Sequence, residues 1–145
     1  VVDRPDVAVR IDFITTNEAE FQQRQHTGLL PSFIPEDYID DARMRIGAYR
    51  MVSETTTYKE LNALKKNWRD RFGVFPDAVE NLLNCVELKI ACANVHITSA
   101  EIEGTKLKLM RNGNYVLLAD KFPRLAMKID SREMLAEAIA LVKQF

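Results

Sequence analysis

The chain has 145 residues, a 47% hydrophobic fraction and a formal net charge of -1. That length and that apolar content suffice for one ordinary domain with a buried core, whereas the near-neutral charge lacks the basic excess that phosphate-backbone binding favours. No apolar run approaches the roughly 20 residues of a membrane span, and no charged start leads into an apolar stretch as in a signal peptide.

Val7 to Ile14 alternates, with Val7, Val9, Ile11 and Phe13 on one side, and is expected to be a strand. Thr15 to Gly28 is polar, without an apolar stripe, and reads as a loop or a short exposed helix. Leu29 to Pro35 is apolar but holds Pro31 and Pro35, each of which biases its predecessor to extended geometry. A packed extended segment, at most an edge strand, is expected there.

The acids Glu36, Asp37, Asp40 and Asp41 suit the first turn of a helix with the stripe Ala42, Ile46, Tyr49 and Val52. Thr57 and Glu60 form a capping-box signature ahead of Leu61, Leu64, Trp68 and Phe72, and Gly73 ends that run. Phe75-Pro76-Asp77 opens a third helix, with Val79, Leu82, Leu83, Val86, Ile90 and Ala93 on its apolar face.

Past Val95 the period changes to two. Ile97 to Ile102, Lys106 to Met110 and Tyr115 to Leu118 read as strands of an antiparallel meander, turned at Glu103-Gly104 and Asn112-Gly113-Asn114. Ala126 to Ile129 is a further strand candidate. Asp130 or Ser131 can cap a last helix that turns Leu135, Ala138, Ile139 and Val142 inward. The expected fold is a single α+β domain over 1–145, a mostly antiparallel sheet with a central run of three helices and a C-terminal helix packed on it.

Chemistry-bearing patterns are sparse. The five glycines form neither a GxxxxGK[ST] nor a GxGxxG loop, so no nucleotide cofactor is expected in this chain. His26, His96, Cys85 and Cys92 lack a zinc-ligand spacing, and no serine sits in a GxSxG turn. Cys85 and Cys92 on one helix would stand roughly 10 Å apart, too far for a disulfide, which points to reduced thiols in a cytoplasmic protein. Lys59, Lys65, Lys66, Arg69 and Arg71 cluster on the second helix, but Glu60 and Asp70 interleave them, which favours a solvated or protein-contacting face over DNA. Nothing points to an enzyme active site, a small-molecule substrate or a membrane partner. The missing initiator methionine reads as the start of a piece of a longer polypeptide.

Phe33-Ile34-Pro35-Glu36-Asp37-Tyr38-Ile39-Asp40-Asp41, followed by Arg43, Arg45 and Tyr49, resembles the IPxDYIxDxxxRLxxYRR stretch of the C-terminal domain of bacterial transcription-repair coupling factors. Arg69-Asp70-Arg71-Phe72-Gly73 through Leu83 resembles that family's ELxDRFGxxPxxVxNLL, and Leu88-Lys89-Ile90-Ala91 its LKxxA. The resemblance implies a non-catalytic regulatory domain whose parent is an ATP- and magnesium-dependent DNA translocase that removes stalled RNA polymerase. It implies an intramolecular partner, an N-terminal UvrB-like module, whose surface for the excision-repair protein UvrA the domain hides.

Carried onto this chain, the contact falls on the polar face of the Thr57 to Phe72 helix. Asp70 comes first, as a carboxylate facing an arginine, then Arg71, with Asn67 and Lys66 beside them. Asn67 replaces the family's glutamate and Trp68 its leucine, which removes one negative charge from that face. A local Lys66–Asp70 pair is the plain structural account of the same residues. The alternative function is an accessory domain that touches DNA or the motor through the Lys59 to Arg71 helix. Thr15 to Gly28 reads as an insertion relative to the family.

Overall fold

The computed structural model describes residues 6–23, 29–126 and 130–145. They form two compact units, one from the N-terminal strand together with everything from Leu88 onward, the other from Ile14 to Glu87.

In the first unit, β1 (Ala8–Ile11), β4 (Ser99–Glu103), β5 (Lys106–Arg111) and β6 (Asn114–Tyr115) form a four-stranded sheet in the order β1-β4-β5-β6. β4, β5 and β6 make the expected antiparallel meander, but β1 runs parallel to β4, pairing Ala8 with Ser99 and Ile11 with Ile102. The sheet is therefore mixed, which corrects the mostly antiparallel expectation. A strand joined to the meander by nearly ninety residues of intervening chain is free to enter in either direction, and local turn signals carry no information about it. The inward positions Ala100, Ile102, Leu107 and Leu109 are all at 1% exposure or less. The C-terminal helix α5 (Ser131–Val142) starts at Asp130, whose side chain accepts a hydrogen bond from the Arg132 backbone N–H, and buries Leu135, Ala138, Ile139 and Val142 as the periodicity predicts.

The expected strand from Val7 to Ile14 is interrupted. Asp12 turns the chain, its Oδ2 accepting from the Gly104 N–H at 2.8 Å, and Ile14 and Thr15 form a separate strand, β2, in the second unit. The alternation itself holds, because Val7 is buried while Ala8, Arg10 and Asp12 are exposed. The strand expected over Tyr115 to Leu118 shortens to β6 and passes into a tight hairpin turn; the Ala126 to Ile129 candidate leaves Ala126 outside any strand, with 127–129 outside the described residues.

In the second unit β2 pairs in parallel with β3 (Leu30–Pro31), the edge segment expected around the two prolines. A short helix α1 (Glu18–Gln23) occupies the polar stretch between them, whose end falls outside the described residues. The three central helices follow: α2 (Ala42–Glu54), α3 (Tyr58–Phe72) and α4 (Asp77–Asn94), the last continuing into the first unit from Leu88. α2 begins later than expected. Asp41 is its N-cap, accepting from the Met44 N–H at 3.0 Å, and Glu36 and Asp37 lie in a turn before it.

Its inward face also differs from the expected stripe. Ala48 is buried, whereas Ala42 is exposed, Ile46 is 61% exposed and Tyr49 is 40% exposed. Periodicity favours the bulkiest apolar residues for the core. Here the buried position is a small residue, Ala48, while Tyr49 lies at the surface and its hydroxyl accepts from the Ile34 N–H at 2.7 Å.

Candidate partner-binding face

α3 is built as its sequence indicates. Thr57 caps it, its Oγ1 accepting from the Glu60 N–H at 3.1 Å, and Glu60 Oε1 reaches back to accept from the Thr56 N–H at 3.1 Å. Leu61, Leu64 and Trp68 are at 1%, 3% and 1% exposure, and together anchor one face of the helix. Gly73 ends it at φ 95° and ψ -163°, a backbone region essentially restricted to glycine.

The two motifs that carry the family resemblance meet at this end. The Tyr38 hydroxyl donates to the Gly73 carbonyl at 3.0 Å and lies 3.4 Å from the Trp68 carbonyl, at a helix terminus whose last carbonyls lack intrahelical partners. The Tyr38 ring packs on Phe72 and Phe75 at centroid distances of 5.7 and 6.4 Å. Burial pushes the Tyr38 hydroxyl pKa up from its ordinary value, opposed by the positive charge of Arg69. Arg45 secures the other motif, donating from one guanidinium nitrogen to the carbonyls of Ile39 at 2.8 Å and Asp40 at 3.1 Å. Tyr38, Arg45, Phe72 and Gly73 of the signature thus have an architectural task.

Asp70 and Arg71 do not share it. With 3.6 residues per turn, Lys66, Asp70, Asn67 and Arg71 fall within an arc of roughly 140° beside the buried stripe, and all four are exposed. Lys66 Nζ lies 3.5 Å from Asp70 Oδ2, the i,i+4 pair that local spacing predicts. Their side chains are 80% and 67% exposed, so the pair is worth little and opens readily toward another partner. The Arg71 guanidinium lies 4.9 Å from the Phe72 ring centroid, and that of Arg69 lies 4.7 Å from Phe75. Three of the five basic residues noted in the sequence are therefore engaged locally.

Asn67 borders a groove of about 430 Å³ that Met51, Glu54, Thr55, Ala63 and Leu64 also line. Met51 belongs to this face but does not stand out in the sequence beside the charged residues of α3. Its recurrence seven residues after Met44 is the available signal, and both are 41% exposed. Among the described residues no group of three or more His, Cys, Asp or Glu side chains could hold a metal ion. His96 sits at a turn with φ 62°, and His26 lies outside the described residues. Cys85 and Cys92 are not disulfide-bonded, and the Ser32 hydroxyl donates to Cys85 Sγ at 3.8 Å. No described helix is long and apolar enough to cross a membrane.

The fold is that of a solved coupling-factor domain: a chain described as the C-terminal domain of transcription-repair coupling factor superposes with a TM-score of 0.61 over 97% of both chains, at 16% identity. The TRCF domain model matches residues 29–117, more than half of the chain, and the chain belongs to that family. It is similar to the transcription-repair-coupling factors of Haemophilus influenzae, 34% identical over 80 residues, Escherichia coli, 29% over 91, and Bacillus subtilis, 29% over 122. These matches cover 55%, 63% and 71% of this chain but 6%, 8% and 10% of the three relatives.

Proposed function

We propose that this chain is a regulatory, protein-binding domain of a transcription-repair coupling factor. It contacts the parent's UvrB-like N-terminal module through Asp70, Arg71, Asn67 and Lys66, thereby controlling UvrA recruitment at stalled RNA polymerase. ATP and magnesium belong to the parent's motor, which acts on DNA, and this domain catalyses nothing itself. The observation that carries the reading is the exposure of Asp70 and Arg71 inside a signature in which Tyr38, Arg45 and Gly73 hold the fold.

The exposed, weakly paired Asp70 can exchange Lys66 for an arginine of the module at small cost, which suits a reversible contact. Asn67 supplies no charge, so the association is weaker than one carrying a glutamate there. Titrating the isolated UvrB-like module into this chain is expected to show weak, salt-sensitive binding that Asp70→Arg lowers about tenfold or more. Equal binding by the variant sinks the Asp70 assignment, and no binding by either protein sinks the contact. Duplex DNA binding by the chain alone, lost steeply between about 50 and 200 mM salt, would instead favour the DNA-contacting alternative.

A further inference from the structure

The first unit carries a second exposed surface, unrelated to α3. After β6 the chain makes the turn Leu118-Ala119-Asp120-Lys121, closed by reciprocal backbone hydrogen bonds of 2.8 and 3.0 Å, and then runs back past β5. Ala119 and Asp120 have φ of 50° and 64°, a mirror-image turn that favours glycine or asparagine at the first position. The preceding turn of the same kind uses Asn112-Gly113, at φ 53° and 78°. An alanine in the left-handed region costs roughly 1–2 kcal/mol, so this turn is maintained against a local preference.

The turn displays apolar surface. Tyr115, Leu117 and Leu118 are 47%, 46% and 50% exposed, and Tyr115 meets Phe122 edge to face at 5.1 Å. Lys106, Lys121 and Arg124 surround a cleft of about 410 Å³ floored by Tyr115, Leu117 and Phe122, with Asp120 on its rim. Lys108 stands nearby but is neutralised by Glu103 at 3.1 Å, a contact that raises the lysine pKa. The local balance is positive on a chain whose net charge is -1.

Apolar side chains ringed by cations fit two kinds of macromolecule, nucleic acid and acidic protein. Base stacking needs a free aromatic face. The Phe122 ring has the ammonium groups of Lys106 and Lys108 over it at 5.5 and 6.0 Å, and its contact with Tyr115 is edge-on. What remains open in the cleft is Leu117 and part of Tyr115, beside a local surplus of positive charge on a chain whose net charge of -1 lacks the basic excess that phosphate-backbone binding favours. We propose that this hairpin cleft docks an acidic segment of a partner protein, with an apolar side chain seated against Leu117 and Tyr115 and carboxylates facing Lys121, Arg124 and Lys106.

The test is a titration of the 15N-labelled chain, followed by NMR, with a 14-residue Asp/Glu peptide bearing a central Phe-Leu pair, the same peptide with alanines at that pair, and a 15-mer of thymidylate. The apolar acidic peptide is expected to shift the amides of residues 115–124. The alanine peptide, and the Lys121→Glu/Arg124→Glu and Leu117→Ser variants, should each bind at least tenfold more weakly. These side chains are solvent-facing, so an unchanged spectrum away from the hairpin checks that the variants remain folded. The proposal is overturned if the loop does not respond at millimolar peptide, if the alanine peptide or the variants bind equally well, or if the oligonucleotide occupies the cleft more tightly than the peptide.

Discussion

Replacing glycine by alanine at two positions of this chain should change stability in opposite directions. Gly73 has φ 95° and ψ -163°, and a Cβ added to it meets nothing within 4 Å. The cost of Gly73→Ala is therefore one of backbone conformation alone, about 2 kcal/mol for a side-chain-bearing residue in that region. For a chain of this size each kcal/mol moves Tm by roughly 2–4 °C, so a fall of about 4–8 °C is expected. Gly47, inside α2, also leaves open space within 4 Å of where an alanine Cβ would stand, but its helical backbone suits alanine. Gly47→Ala should raise stability by about 1 kcal/mol, or roughly 2–4 °C. Thermal unfolding followed by circular dichroism compares the two variants directly. A Gly73→Ala protein as stable as the parent would mean that the α3 terminus relaxes freely and that the Tyr38–Gly73 link does not hold it. A destabilised Gly47→Ala would refute the open surface assigned to that side of α2.

Thr57→Ala should cost about 1 kcal/mol in denaturant unfolding, because it removes the acceptor for the Glu60 N–H at the start of α3. Ala119→Gly should stabilise by about 1 kcal/mol by relieving the left-handed alanine, and a loss of stability would contradict the strain assigned to that turn. Burial pushes the Cys92 thiol up from 9.0 to about 12, while Cys85 is partly accessible. At pH 8 a thiol alkylator followed by mass spectrometry should label Cys85 first and reach Cys92 only on unfolding. The unfolded chain loses the Cys92 proton first, so the stability linked to this group is intact below pH 9 and declines as pH rises from 9 toward 12.

Much of the second unit was legible from local pattern. A cap, a 3.6-residue stripe and a terminating glycine are properties of contiguous residues, and α3 follows them closely from Thr57 to Gly73. The same holds for the β4–β5–β6 turns and for the buried face of α5. The α2 stripe misled because hydrophobicity alone does not say which side of a helix faces a neighbour. The buried position is Ala48, and Ile46 and Tyr49 are left outside.

At the candidate face, composition and resemblance singled out Lys66, Asn67, Asp70 and Arg71, and helical spacing was enough to place them together and to anticipate the Lys66–Asp70 pair. The groove beside Asn67 was not legible, since Met51 comes to it from another helix. The hairpin cleft was hidden for the same reason: Lys106 on β5 and Lys121 past the turn meet only through strand pairing.

By itself the sequence determined the central helices, the caps of α3 and α5, the meander turns and membership of the family, all of which depend on residues within a few positions of one another or on ordered motifs. The tertiary structure alone decided that β1 joins β4 in parallel, that the chain turns at Asp12, and that the Tyr38 hydroxyl ties one motif to the other at Gly73. Those are contacts between segments 35 to some 90 residues apart, selected by packing and by the need to satisfy buried or terminal polar groups, which no local pattern records.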